Sequence, residues 1–199
     1  MQTSTVQLIS TLSMVANDGA TRAGRGLSGL VGQEIAIHVP SVRPGTRVDA
    51  CNALGGEETT VFGAYLSFNG DITGHVVLLF PVEHALACVD LMSGQSVGTT
   101  TVPAGAAESA MGELGNIVGS AFINALADHT NLILHPSLPT ILHDMAIAIV
   151  ESVYAEVLLQ DGDAIIVDTE FEDANGLNAG MLILALDPVC LERVQEFAA

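Results

Sequence analysis

Residues 109–128 read Ser109-Ala-Met-Gly-Glu113-Leu-Gly-Asn116-Ile-Val-Gly-Ser-Ala-Phe-Ile-Asn-Ala-Leu-Ala-Asp128. Their apolar spacing predicts a helix of several turns. At about 100° per residue, Ser109, Glu113, Asn116 and Ser120 fall in one narrow stripe. Met111, Leu114, Val118, Phe122 and Ala125 gather on the opposite, core-facing side. Gly112, Gly115 and Gly119 line a flank between the two. Each costs roughly 1 kcal/mol against alanine in a helix interior, so something must offset them. Bare backbone beside a Glu/Asn stripe lets another surface approach closely. The stretch therefore points to a docking and catalytic face for a partner.

Moving outward, residues 5–31 read as another helix, and Gln33–Val39 as a short strand that stops at Pro40. Ser41–Glu58 is polar and Gly-rich, a loop with some strand. Thr60–Phe68 and Thr73–Phe80 read as strands joined by Asn69-Gly70-Asp71, a strong hairpin signal. Pro81 opens a short helix, Val82–Met92, before a linker at Ser93–Thr101. The same order then returns. A helix over Pro103–Asp128 leads to a short strand, Asn131–His135, that ends near Pro136 and Pro139. Periodicity leaves the apolar run from Thr140 to about Tyr154 open between helix and strand. Glu156–Leu159 and Ala164–Glu172, around the turn Gln160–Asp163, read as strand material. Gly180–Leu186 reads as a strand, and Pro188–Phe197 as a closing helix.

A displacement of 99 residues lays Ser10 on Ser109, Asn17 on Asn116, Leu27 on Leu126 and Pro40 on Pro139. The matches fall at the same steps of the same element order. The expectation is one α+β domain over 1–199, made of two internal repeats of about 1–95 and 103–199 that share a single sheet.

Composition narrows the function. With 49% hydrophobic residues and 14% charged, the chain can bury a substantial core. It carries 23 Asp and Glu against 5 Arg and no Lys, a formal charge of −18, which argues against nucleic acid as a partner. Such a balance suits a cytosol kept at very high salt, where self-repulsion is screened. Cys51, Cys88 and Cys190 are odd in number and set among apolar residues, as reduced thiols in a cytoplasmic protein would be. The N-terminus has no basic n-region, and no apolar run reaches the ~18 residues needed for a membrane span.

Other motifs fall away on context. Gly24-Arg-Gly26-Leu-Ser-Gly29 fits G-x-G-x-x-G, but a helix precedes it and a strand follows, the reverse of the dinucleotide order. His84 and Cys88 stand four apart, and His129, His135 and His143 lie in the second half. None of these spacings resembles a zinc pair, so no metal is expected. No Ser stands in a G-x-S-x-G elbow. Glu113 and Asn116 remain, and their plain alternative is the solvated face of a partly exposed helix. Functionally, an Asn amide is no base, but it can orient a water. A Glu can dock on a partner's Lys or Arg. Such a pair suits chemistry whose electrophile and metal come from the partner.

Ser109-x3-Glu113-x2-Asn116, then His135-Pro136-Ser-Leu-Pro139 and His143-Asp144-Met, resembles the CheC/CheX/FliY family of chemotaxis phosphatases, and within it the CheC-like members. The likeness extends to the duplicated layout and to the Leu-Leu-Phe-Pro strand end before a helix. Pro139 stands close to where the family motif ends in a proline, and Pro40 has the same offset from Asn17. The resemblance implies two long antiparallel helices on a mostly antiparallel sheet built by both halves. It also implies a mechanism, in which phosphorylated CheY docks on the long helix. Asn116 would then align water for attack on the aspartyl phosphate while Glu113 holds CheY's lysine. Ser109, Gly112 and Pro139 would support the site, and the Mg²⁺ would belong to CheY, with no cofactor of the chain's own. CheC-like proteins are commonly stimulated by CheD, and each long helix can carry one site. Here the first half departs: Ser10 and Asn17 are kept, but Met14 stands where Glu113 has its carboxylate. That site is expected to be weak or dead. The alternative is a non-catalytic adaptor of the same fold that binds CheD, CheY or the flagellar switch, with a structural subunit of the motor as a weaker third reading.

Overall fold

In a computed structural model of the chain, residues 2–157, 164–173, 176–186 and 194 are described. The long amphipathic helix α1 (Gln2–Val31) leads into β1 (Ala36–Gly45), α2 (Arg47–Ala53), β2 (Thr60–Gly70), β3 (Gly74–Pro81) and α3 (Val82–Met92). The second half runs α4 (Ala106–Thr130), β4 (Leu134–Pro136), β5 (Thr140–Met145), α5 (Ala146–Val157), β6 (Ala164–Asp173) and β7 (Gly176–Leu186).

All seven strands form one sheet in the order β1-β6-β7-β3-β2-β4, and β5 also pairs with β2. Every pairing is antiparallel. The halves interleave: β1 pairs with β6 at one edge, and β5 pairs with β2 near the other. Both sheet faces are covered. Phe62, Leu66, Leu78 and Phe80 point towards α1, α3 and α4, while Val61, Val77, Leu79 and Ile183 point towards α2 and α5. This double cover explains why β3 runs Val-Val-Leu-Leu-Phe over residues 76–80, continuously apolar and not alternating. In the hairpin, Gly70 sits at φ +138°, and a Cβ there would lie 2.0 Å from the carbonyl oxygen of Ile133.

Several expectations are corrected. β1 does not stop at Pro40 but runs to Gly45. It is an edge strand, and Pro40 falls where the register shifts between His38 and Ser41, so its missing N–H leaves no gap in the ladder. Ser41–Glu58 is not loop throughout, because it contains α2. There Thr46 and Asp49 form a reciprocal capping box. The ambiguous run from Thr140 is both things, strand β5 and then helix α5. Residues 156 and 157, expected as strand, belong to α5. The rest of that expected strand, the turn at 160–163, Cys190 and nearly all of the expected closing helix at Pro188–Phe197 lie outside the described residues.

The linker into α4 is anchored by Asp90, which is fully buried at the end of α3. Its carboxylate accepts backbone bonds from Gly98 at 2.8 Å and from Thr99 and Thr100 at 2.9 Å. Burial pushes this carboxyl up, but the bonds from Thr100, Thr99 and Gly98 outweigh it and hold the group below the usual carboxylate value.

Candidate functional site

The two faces expected of α4 are present. Met111, Leu114, Val118, Phe122 and Ala125 are buried. Ser109 and Glu113 are exposed, and Asn116 and Ser120 are half-buried. The glycine flank requires a correction, however. A Cβ at Gly115 would stand 2.3 Å from Ala64 Cβ, and one at Gly119 would stand 2.9 Å from Leu66 Cδ1. Both glycines therefore let α4 settle onto β2, so their close neighbour is the protein's own sheet. Gly112 differs: its Cβ would meet only Ile141 Cδ1, at an ordinary 3.6 Å.

Pro139, on the connection between β4 and β5, joins the same place. Its Cβ lies 3.9 Å from the Cβ position of Gly115, the residue between Glu113 and Asn116. Pro139 is thus brought to the turn that carries both side chains, with Ser109 one turn before Glu113. Asn116 Oδ1 accepts a long hydrogen bond from the Ser120 hydroxyl at 3.4 Å. Among the described residues no ion pair engages Glu113, so its carboxylate faces water.

The matching face of α1 is built differently. Ser10, Met14 and Asn17 are all exposed, Met14 by 55%. Asn17 Nδ2 donates to the carbonyl of Ser13 at 2.8 Å, so its amide is turned back onto its own helix. The helices run antiparallel, with Gly19 against Phe122 and Gly26 against Ile117. Asn17 therefore lies level with the C-terminal half of α4, and Asn116 with the C-terminal half of α1. The two faces sit at opposite ends of the helix pair. Gly24 and Gly26 of the G-x-G-x-x-G run are packing positions inside α1, pressed on Ile35 and Ile117.

Sequence reasoning missed a charge cluster between the helices. Arg22 pairs with Asp18 at 2.8 Å on its own helix and with Asp128 of α4 at 2.6 Å, while His129 reaches Asp18 at 3.2 Å. The hydrogen bond from Arg22 is the main reason that the Asp18 carboxyl lies below its usual value; burial opposes it, and His129 adds to it. The i,i+4 spacing of Asp18 and Arg22 was visible in the sequence, but the reach to α4 was not.

Chemically, the Glu113–Asn116 face offers a carboxylate and a carboxamide on one helix, and among the described residues no hydroxyl is hydrogen-bonded to the Glu113 carboxylate. Among the described residues no three His, Cys, Asp or Glu side chains gather as a metal set. No described helix is long and apolar enough to cross a membrane.

Residues 62–161, which contain Glu113, Asn116 and Pro139 but not Ser10–Asn17, match the family model described as chemotaxis phosphatase CheX. The chain is 29% identical over 168 residues to the CheY-P phosphatase CheC of Bacillus subtilis (strain 168), covering 81% of this chain and 78% of that protein. Among solved structures, Thermotoga maritima FliY matches with a TM-score of 0.75 at 17% identity, over 100% of this chain and 96% of that one. FliM of H. pylori, solved as a complex with SpeE, matches with a TM-score of 0.69 at 14% identity, over 96% and 93%. These two structural likenesses speak to the fold alone.

Proposed function

The chain belongs to the CheC/CheX/FliY family of chemotaxis phosphatases, and from that premise we propose that it hydrolyses the aspartyl phosphate of phosphorylated CheY. The observation that carries this reading is the shared turn of α4, where exposed Glu113, half-buried Asn116 and Pro139 meet on a helix fixed to the sheet at Gly115 and Gly119. CheY docks over this turn. Glu113 grips a lysine of CheY through a charge-assisted contact, worth roughly 1.5–3 kcal/mol. The Asn116 carboxamide enters the partner's site and holds a water in line with the phosphorus. As the water oxygen bonds to phosphorus, the bond to the aspartyl oxygen breaks, and inorganic phosphate and the free carboxylate are released. Such catalysis is positioning, for which a carboxamide suffices. The Mg²⁺ that neutralises phosphate charge is CheY's.

The same basis supports a two-repeat organisation, 1–95 and 103–199. Each half lends an edge strand, β1 or β5, to the hairpin of the other, which is what a duplicated unit sharing one sheet would give. A second reading, an adaptor that binds CheD, CheY or the flagellar switch without turnover, draws on Met14 in place of a carboxylate in the first half.

The test is the half-life of phosphorylated CheY with and without the protein, at high salt in keeping with the Lys-free acidic composition. The phosphatase shortens it severalfold or more at catalytic concentrations. An unchanged half-life with binding still detected would replace the enzyme with the adaptor.

A further inference from the structure

The connection between β4 and β5 presents Leu138 with 86% of its surface exposed, the highest value among the described large hydrophobic residues. One exposed leucine is ordinary on a protein surface. This one is set apart by how it is held and where. The Ser137 amide donates to the Ser67 carbonyl at 2.8 Å, and the Ser67 amide donates back to Ser137 Oγ at 3.1 Å. Ser137 Oγ in turn donates to the carbonyl of Leu138 at 2.9 Å. Pro136 and Pro139 restrict the backbone on either side. Pro139 then lies against the Gly115 turn, so the leucine stands one residue from the surface that carries Glu113 and Asn116. A stiff loop that holds an apolar side chain in water has already given up the freedom that binding would otherwise remove.

We infer that Leu138 is an apolar anchor for the response regulator that docks on α4, setting the regulator's position over the Glu113–Asn116 stripe. The inference rests on the phosphatase reading above, and the occupant is phosphorylated CheY because the loop is continuous with the face on which CheY docks. The two contacts are complementary. Glu113 contributes charge that salt screens, whereas burial of Leu138 is not weakened by salt. Leu138 is thus a positioning residue that acts on affinity, and Asn116 is the group that acts on the water.

The test uses Leu138→Ser in the full chain, with decay of phosphorylated CheY followed across CheY concentrations and Asn116→Ala run alongside. Burying a leucine corresponds to roughly ten- to a hundredfold in affinity, so KM rises about tenfold with kcat kept. Leu138→Met restores most of the loss. A purely structural role would give neither the KM–kcat split nor the rescue. If KM is unchanged while Asn116→Ala abolishes turnover, the anchor is overturned and the phosphatase reading stands. If the unmodified protein gives no turnover, the phosphatase reading fails by itself, and titration with phosphorylated CheY then judges the anchor. A Kd about tenfold weaker for Leu138→Ser upholds it, and an unchanged Kd overturns it. If Leu138→Ser converts a dimer of the unmodified chain into a monomer in sedimentation, a second copy covers the leucine and the inference is overturned.

Discussion

The two long helices carry related faces, both seated through glycines, but against different neighbours and with charges added at only one of the two ends. Near Asn116, α4 is seated by contact of bare backbone with β2, at Gly115 against Ala64 and Gly119 against Leu66, with Pro139 closing the turn. Near Asn17, α1 packs through Gly19 on Phe122 of α4 and adds charges to that contact, Arg22 between Asp18 and Asp128 with His129 beside Asp18. Steric contact is insensitive to salt and fixes a side chain to a fraction of an ångström. Partly exposed ion pairs are screened and loose. The amides follow suit. Asn17 gives one Nδ2 hydrogen to the Ser13 carbonyl, while among the described residues Asn116 is engaged through Oδ1 by Ser120 and keeps both amide hydrogens for a ligand. Together with Glu113 on one face and Met14 on the other, the contrast supports the proposal that one end of the helix pair is built for positioning. The other end keeps the frame without the grip.

The largest expected effect follows directly. Asn116→Ala lowers the rate of CheY-phosphate hydrolysis roughly a hundredfold, the scale of losing a positioning group, and Asn17→Ala changes it less than about twofold. Phosphate decay measured separately for the two variants decides the matter, and equal losses would break the one-site reading. Met14→Glu sharpens the contrast by restoring a carboxylate to the first face. If the missing grip is the main defect, this variant brings back measurable activity in an Asn116→Ala background; continued silence would place the fault in the turned-back amide of Asn17.

The glycines of α4 give the next effect. Gly115→Ala forces a Cβ to 2.3 Å from Ala64 Cβ, so α4 or β2 must move. Overpacking of this kind costs about 1–3 kcal/mol, from which the better helix propensity of alanine takes back up to about 1. Gly112→Ala meets only ordinary contact and should stabilise by about 0.5–1 kcal/mol. Urea unfolding of both variants reads the opposite signs directly, and a shared sign would show that the seat on β2 is not what fixes the helix. A KM that rises in the stabilised Gly112→Ala variant would mark Gly112 as the one glycine of the three that serves the partner.

How much of this was legible in the sequence depended on range. The burial of Met111, Leu114, Val118 and Phe122 opposite Glu113 and Asn116 followed from helical period alone, because both faces are local properties of one element. The hairpin at Asn69–Asp71 and helix α3 were equally local. Residues whose role is set by a distant neighbour were misread. Gly115 and Gly119 looked like openings for a partner, because nothing nearby in the chain announces that Ala64 and Leu66 will lie beneath them. Pro40 looked like a strand end because its tolerance depends on β1 lying at the sheet edge. Helix α2 was hidden in a polar, Gly-rich segment, although Thr46 and Asp49 spelled out its capping box. The run from Thr140 resisted assignment because β5 and α5 abut without a break at Met145 and Ala146.

The smallest effect probes the charged end. Arg22 holds the Asp18 carboxyl below its usual value of 3.8 through a hydrogen bond, opposed by burial and helped by its own charge and by His129. The folded-state value thus lies below the unfolded one, about 3.9. The ionised carboxylate then stabilises the fold fully at pH values above about 4, and that contribution drains away as pH falls through the lower, folded value. Asp18→Asn removes it. The stability difference between the unmodified chain and Asp18→Asn should therefore be flat from neutral pH down to about 5 and shrink below about 4. It should stay under about 1 kcal/mol throughout, because the cluster is partly solvated. Raising salt towards 1 M, where the Debye length is about 3 Å, should shrink it further, while the Gly115→Ala penalty at the other end should hold. Unfolding curves for both variants at low and high salt make the comparison quantitative. If the Asp18→Asn difference grows on acidification, or survives salt as well as the Gly115→Ala penalty does, the charges add nothing to the Gly19 seat at the Asn17 end and the contrast between the two helices collapses.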